Sequence, residues 1–219
     1  MTPASVNGEG ILLQVRQAGE GGRSLHLFTR QEGLRSAFVS RSTLRRCGTG
    51  VLFPFAHLRY SAVESGELTL LTQYEGQLFF SMMELSYEEI TRWYYAVEIA
   101  CHFFPEGEAD GDAYALLAAA ARMGKEKNKT VVAFMLSVQL LAAAGYDPAE
   151  EEPMESLRLS GGGKMLIRGF RSYRWQGMPS CRITKEAFYD AAGYLDRFLL
   201  RYGEWEMKTR GAFLLPQGM

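Results

Sequence analysis

The sequence predicts an α+β protein in two parts, a small five-stranded barrel over residues 1–80 and an α-helical domain over residues 81–219. Three observations carry that expectation. Five short β-rich segments, separated by turn residues, fall within about the first 75 positions. From Ser86 onward the apolar residues recur at three and four positions instead of alternating. Charge divides in the same way: residues 1–60 hold eight arginines against three glutamates, net +5, and the remainder is net −6. Such asymmetry suits a chain of which one part meets a polyanion and the other does not.

The first strand is read over Ile11–Arg16, followed by a turn at Gly19, Glu20, Gly21 and Gly22. Arg23–Thr29 then alternates, with Leu25, Leu27 and Thr29 on one face and His26 and Phe28 on the other. Glycines ahead of that run suggest a hairpin, because glycine takes the positive φ a tight turn needs. A second turn at Gln31–Gly33 leads to Leu34–Val39. Arg41–Arg46 reads as a basic loop between strands, and Val51–Tyr60 as a strand whose Pro54 confines it to an edge or delays its start. Leu68–Tyr74 supplies a fifth strand. Five short strands in this span suggest the OB-fold, the small barrel used for oligonucleotides.

In the second part, Ser86 and Glu89 have capping-box spacing, and Ile90, Trp93, Tyr94, Val97 and Cys101 define a helix to about Phe104. Ala113–Met123 and Thr130–Ala144 are further helices, the latter stopped by Gly145. Asp147–Glu155, with two prolines, reads as an acidic linker, and Leu157–Trp175, with a triple glycine, as irregular. Thr184 caps a last helix from Lys185 to about Tyr202.

The stretch Gly33–Val63 carries the functional signal. It holds five arginines (Arg35, Arg41, Arg45, Arg46, Arg59) and no acid, since Glu32 and Glu64 lie just outside it. Phe38, Phe53, Phe55 and Tyr60 are interleaved. Guanidinium groups for phosphates beside rings for bases are what single-stranded nucleic acid requires. Phe38 and Tyr60, in strands beside arginines, are the stacking candidates; Phe55, next to Pro54, fits the core better. The same residues also fit a solvated basic face whose aromatics fill the barrel.

Signals for covalent chemistry are weak, and no enzyme activity, cofactor or metal is expected. Gly161–Met165 fails as a phosphate loop because Arg158 and Met165 stand where a glycine and a Ser or Thr are required. The three histidines, His26, His57 and His102, lack ligand spacing. Cys47 beside Arg45 and Arg46 is the one reactive-thiol option. Three scattered cysteines and no apolar leader or spanning run suggest a cytoplasmic protein without a membrane partner.

Taken in order, GILLQVRQAGEGGRSLHLFTRQEGLRSAFVSRSTLRR, GTGVLFPFAHLRYS, ELTLLTQYE, LLAAAGYDP and LLRYGEWEMKTRGAFL resemble the RecO family of bacterial recombination mediators. The resemblance implies an amino-terminal OB domain and a role in DNA repair and homologous recombination: binding single- and double-stranded DNA, annealing strands, and helping load recombinase onto strands coated by the single-strand-binding protein SSB. It implies RecR, RecF and the SSB C-terminal tail as partners and a nucleoid-associated location. DNA contact falls on Arg41, Arg45 and Arg46; the charge pattern alone adds Arg35 and Arg59. An SSB-tail site near Arg122, Lys125, Lys127 and Lys129 is a further expectation. Many relatives carry paired cysteines after G-Y-x-P, but residues 147–182 here hold only Cys181, so zinc is not carried over. A protein-interaction adaptor whose barrel takes an acidic partner segment instead of DNA is the alternative.

Overall fold

A computed structural model describes residues 5–65, 68–126, 128–176 and 183–214. The expected fold class is present. Five strands, β1 (Ser5–Ala18), β2 (Gly22–Thr29), β3 (Gly33–Val39), β4 (His57–Ser65) and β5 (Leu68–Gln77), close into a barrel of order β1-β2-β3-β5-β4. The β3–β5 pair is parallel and the others antiparallel, the OB arrangement. β1 is longer than its apolar run because it pairs twice, with β4 through Ser5–Ile11 and with β2 through Gly10–Ala18. A bulge between Leu12 and Gln14 interrupts the β1–β2 ladder. Leu12, Leu25, Leu27, Val39, Leu58, Ala62 and Leu71 fill the interior.

The basic segment between β3 and β4 is a helix, not a loop: α1 (Arg41–Cys47). Ser40 caps it by accepting from the Thr43 amide, Leu44 is buried into the barrel, and the Gly48 amide donates to the Leu44 carbonyl. The apparent strand from Val51 begins only at His57. Phe55 has φ 65°, its amide donates to the Leu12 carbonyl, and the Ala56 carbonyl accepts from the Leu12 amide, so this segment lies against β1 with Leu52 and Ala56 in the barrel core.

Two compact units are formed: Met1–Met83 with Phe104–Arg122, and Glu84–Phe103 with Met123–Met219. The barrel unit therefore also contains residues 104–122, including most of α3 (Gly111–Glu126). Within it Phe104 packs edge-on to Phe28 at 5.5 Å, the Gly107 amide donates to the Leu34 carbonyl, and Ser36 donates to Glu106 at 2.7 Å. Gly33, at φ +62°, is needed there, because a Cβ would run into the Glu108 carbonyl oxygen.

The second unit is helical. In α2 (Tyr87–Phe103) the capping box is reciprocal: Glu89 N–H donates to Ser86 Oγ at 3.2 Å and Ser86 N–H to Glu89 Oε2 at 3.0 Å. α4 (Lys129–Ala143) is buried nearly all round and forms the centre of this unit, with Phe134 packed between Phe170 and Phe213. α7 (Lys185–Tyr202) begins at the Thr184 cap.

The segment read as linker and irregular chain holds two helices, α5 (Glu151–Ser156) and α6 (Gly161–Arg171). Glycine disfavours a helix by propensity, but here it permits close packing. A Cβ at Gly163 would lie 2.9 Å from Asp190 Oδ2, and one at Gly162 3.3 Å from Ala187 Cβ, both on α7. Ser160 Oγ caps α6, and Leu166, Ile167 and Phe170 are buried. The described residues of this segment do not fit zinc. Asp147, Glu151 and Glu155 face cations: Arg171 at 2.8 Å from Asp147, Lys164 at 2.7 Å from Glu151 and 3.6 Å from Glu155, and Arg168 on Glu151. Cys181 lies outside the described residues. Among the described residues no group of three His, Cys, Asp or Glu could hold a metal ion, and no helix is long and apolar enough to cross a membrane.

Candidate nucleic-acid interface

The seven residues singled out from the sequence do not form one patch. Arg41, Arg45 and Arg46 are exposed on α1. Spacing of four puts Arg41 and Arg45 on one side of the helix. Arg46 donates to the Thr72 carbonyl of β5, which holds α1 against the barrel while its side chain stays exposed. None of the three makes an ion pair among the described residues. In the last turn, Arg45 and Arg46 also offset the negative end of the helix.

Phe38 belongs with them. It lies on the outer face of β3, paired with Ser24 of β2 and next to Leu70 of β5. Its ring lies over Gly22, where a Cβ would be 2.5 Å from Cζ. The Arg41 stem runs along the preceding Gly21, with Cδ 3.3 Å from the corresponding Cβ position. The β1–β2 hairpin thus supplies a bare backbone floor for both side chains.

Arg35 sits at the other end of β3, beside the β2–β3 turn. Its Nη2 donates to Glu64 at 3.0 Å and to Thr69 at 2.9 Å, and its Nε is 3.5 Å from Glu32. The two acids that border the arginine-rich stretch in sequence fold back onto it. Tyr60 lies nearby: its ring seats on Gly8 and packs against the barrel core, and burial raises its pKa, with Glu32 and Glu64 adding to the effect. Arg59 is exposed on β4, but its partners in the neighbouring strands are Glu9 and Glu75. Close by, His57 is 3.0 Å from the Tyr114 hydroxyl and 3.7 Å from Glu9, and burial lowers its pKa. Phe55 is buried, stacked on Phe80 at 6.2 Å. Cys47 is half-buried against the barrel core.

One residue outside the sequence-derived set joins the α1 side. Arg16, exposed on β1, pairs with Ser24, which pairs with Phe38, so Arg16, Ser24 and Phe38 form one row across three strands. Only strand register brings Arg16 there. The next row, Gln14, His26 and Ser36, is bordered by Glu106, and burial followed by the charge of Arg16 lowers the His26 pKa. Of the residues expected near an SSB-tail site, Arg122 lies over the Phe79 ring at 5.7 Å, Lys129 opens α4, and Lys127 falls outside the described residues.

Comparison with known proteins agrees with the barrel. Residues 1–78 match the family model described as Recombination protein O N terminal. The DNA repair protein RecO of Pelotomaculum thermopropionicum is 30% identical over 146 residues, 65% of this chain and 56% of that protein. The DNA repair protein RecO of Desulforudis audaxviator is 26% identical over 198 residues, 85% of this chain and 77% of that protein. The match thus spans little more than half the length of the first relative. The barrel and the family match have the same extent, and over both units the chain is similar to proteins named DNA repair protein RecO.

Proposed function

We propose that this protein acts in DNA repair and homologous recombination by binding DNA, annealing single strands and helping to load recombinase onto SSB-coated DNA, without covalent chemistry. The observation that carries the reading is the set of three exposed α1 arginines with no acidic partner among the described residues, beside a half-buried ring on the OB barrel. Guanidinium groups in this setting displace counterions from phosphates, so affinity depends steeply on salt. Single- and double-stranded DNA share that backbone, and both are ligands in this reading. RecR, RecF and the SSB C-terminal tail are its protein partners, and the nucleoid in the cytoplasm is its place of action.

The test is a titration of labelled single-stranded DNA against the chain and against Arg45→Ala/Arg46→Ala, with an acidic peptide as competitor. Loss of affinity in the folded double variant, with no displacement by the peptide, is expected. An acidic peptide that binds where a mixed-sequence oligonucleotide does not would favour the adaptor reading and displace this one.

A further inference from the structure

Most of the outer β2–β3 face is covered within the barrel unit. Phe28 is fully buried beneath Phe104, Leu34 is held by the backbone of residue 107, and Ser36 is tied to Glu106. What stays open is the row Arg16, Ser24 and Phe38 at the β1–β2 hairpin end. The Phe38 ring cannot stand upright into a neighbouring side chain at Gly22, because there is none; it lies over the glycine backbone instead. Phe38 is half-buried, so part of its side chain remains in solvent. Arg41 flanks it along Gly21, and Arg16 lies two strands away, about 10 Å by strand spacing. Gln14 accepts from one Arg16 nitrogen at 2.9 Å, which orients the guanidinium; its other donors have no hydrogen-bond partner among the described residues.

Tyr60 is the internal contrast. It too seats on a glycine, Gly8, but its ring packs against the barrel core and two glutamates stand close by. The same seating device therefore makes a core element in one place and a surface platform in the other.

We propose that Phe38, seated on Gly22 and flanked by Arg16 and Arg41, is a stacking platform for one unpaired base, which makes this edge of the barrel selective for single-stranded over duplex nucleic acid. Duplex bases are already stacked on each other and offer no free face to the ring, whereas an unpaired base does. Backbone contact by the α1 arginines does not discriminate in this way. The inference rests on the DNA-binding reading above and adds to it a strand preference and two residues, Arg16 and Gly22.

The test measures the affinity of the full chain for a labelled single-stranded oligonucleotide and for the duplex of the same sequence. A 2-aminopurine placed within the single strand reports stacking. Phe38→Leu, which keeps an apolar side chain on Gly22, is expected to weaken single-strand binding roughly five- to a hundredfold, to leave duplex binding within about twofold, and to abolish quenching of the 2-aminopurine. Phe38→Trp restores all three. Gly22→Val, which removes the floor, repeats the Phe38→Leu pattern. Equal losses on both ligands, or unchanged quenching in a folded Phe38→Leu protein, would overturn the platform. Arg45→Ala/Arg46→Ala separates the two levels. If it weakens both ligands while Phe38→Leu weakens neither, DNA binding stands and the platform falls; if it weakens neither, the DNA-binding reading itself falls.

Discussion

Arg45 and Arg35 belong to one acid-free run of sequence but to opposite kinds of surface. Arg45 lies on α1 with solvent around it and no acid within ion-pair distance among the described residues. Arg35 lies at the far end of β3 among Glu32, Glu64 and Thr69. A guanidinium already neutralised by two carboxylates gains little from a phosphate, since the contact must first break existing charge-assisted hydrogen bonds. Arg59 stands between these cases, exposed but with Glu9 and Glu75 as cross-strand neighbours. Local surroundings, not the count of arginines, divide a ligand surface from a structural one.

The comparison can be broken or sharpened by substitution. The largest expected effect is on the α1 side. Arg45→Ala/Arg46→Ala should cost about 2–4 kcal/mol of single-strand affinity at low salt, as two charge-assisted contacts would, with stability lowered by only about 1 kcal/mol through loss of the Arg46 bond to the Thr72 carbonyl; fluorescence anisotropy and thermal melting check both. Next comes Arg35→Ala, which strips the cation from Glu32 and Glu64. It should lower stability by about 1–2 kcal/mol and leave affinity where it was, as read from urea unfolding and the same titration. The smallest substitution effect belongs to Arg59→Ala, within about 0.5 kcal/mol in both assays.

Acidification probes both sides at once. Burial holds the pKa of His26, beside Arg16, and of His57, beside Glu9, below the ordinary value of 6.5. The unfolded chain therefore takes up these protons first. Stability is at its full value above pH 6.5 and falls as the pH drops through the depressed native values. His26→Gln and His57→Gln should each flatten that fall between pH 7 and 5.5. A decline as steep in the double variant as in the unmodified chain would contradict the burial assignment.

Much of the fold was legible because periodicity and capping agree. The barrel strands, α2, α4 and α7 follow from alternation, apolar stripes and the caps at Ser86 and Thr184. The elements missed are those whose local composition argues against them. Three arginines hid α1, although Ser40, Leu44 and Gly48 mark its start, buried face and end. Three consecutive glycines hid α6, whose reason for existing is its close approach to Asp190 and Ala187 on α7. At the site, residue types were legible and partners were not. Glu64 reaches Arg35 across 29 positions, and Arg16 is brought into one row with Phe38 by the register of three strands. Phe38 and Tyr60 read alike in sequence; which side of the sheet each ring occupies follows from register, as do the glycines that seat them.

The central claim is that the α1 arginines contact phosphate and the arginines set among carboxylates, Arg35 and Arg59, do not. The most direct measurement is the salt dependence of single-stranded DNA binding for two double variants, Arg45→Ala/Arg46→Ala and Arg35→Ala/Arg59→Ala. The first should flatten the log–log slope by about 1.4, two phosphate contacts at roughly 0.7 each; the second should leave the slope of the unmodified chain. Equal flattening in both, or flattening in the second alone, would contradict the account.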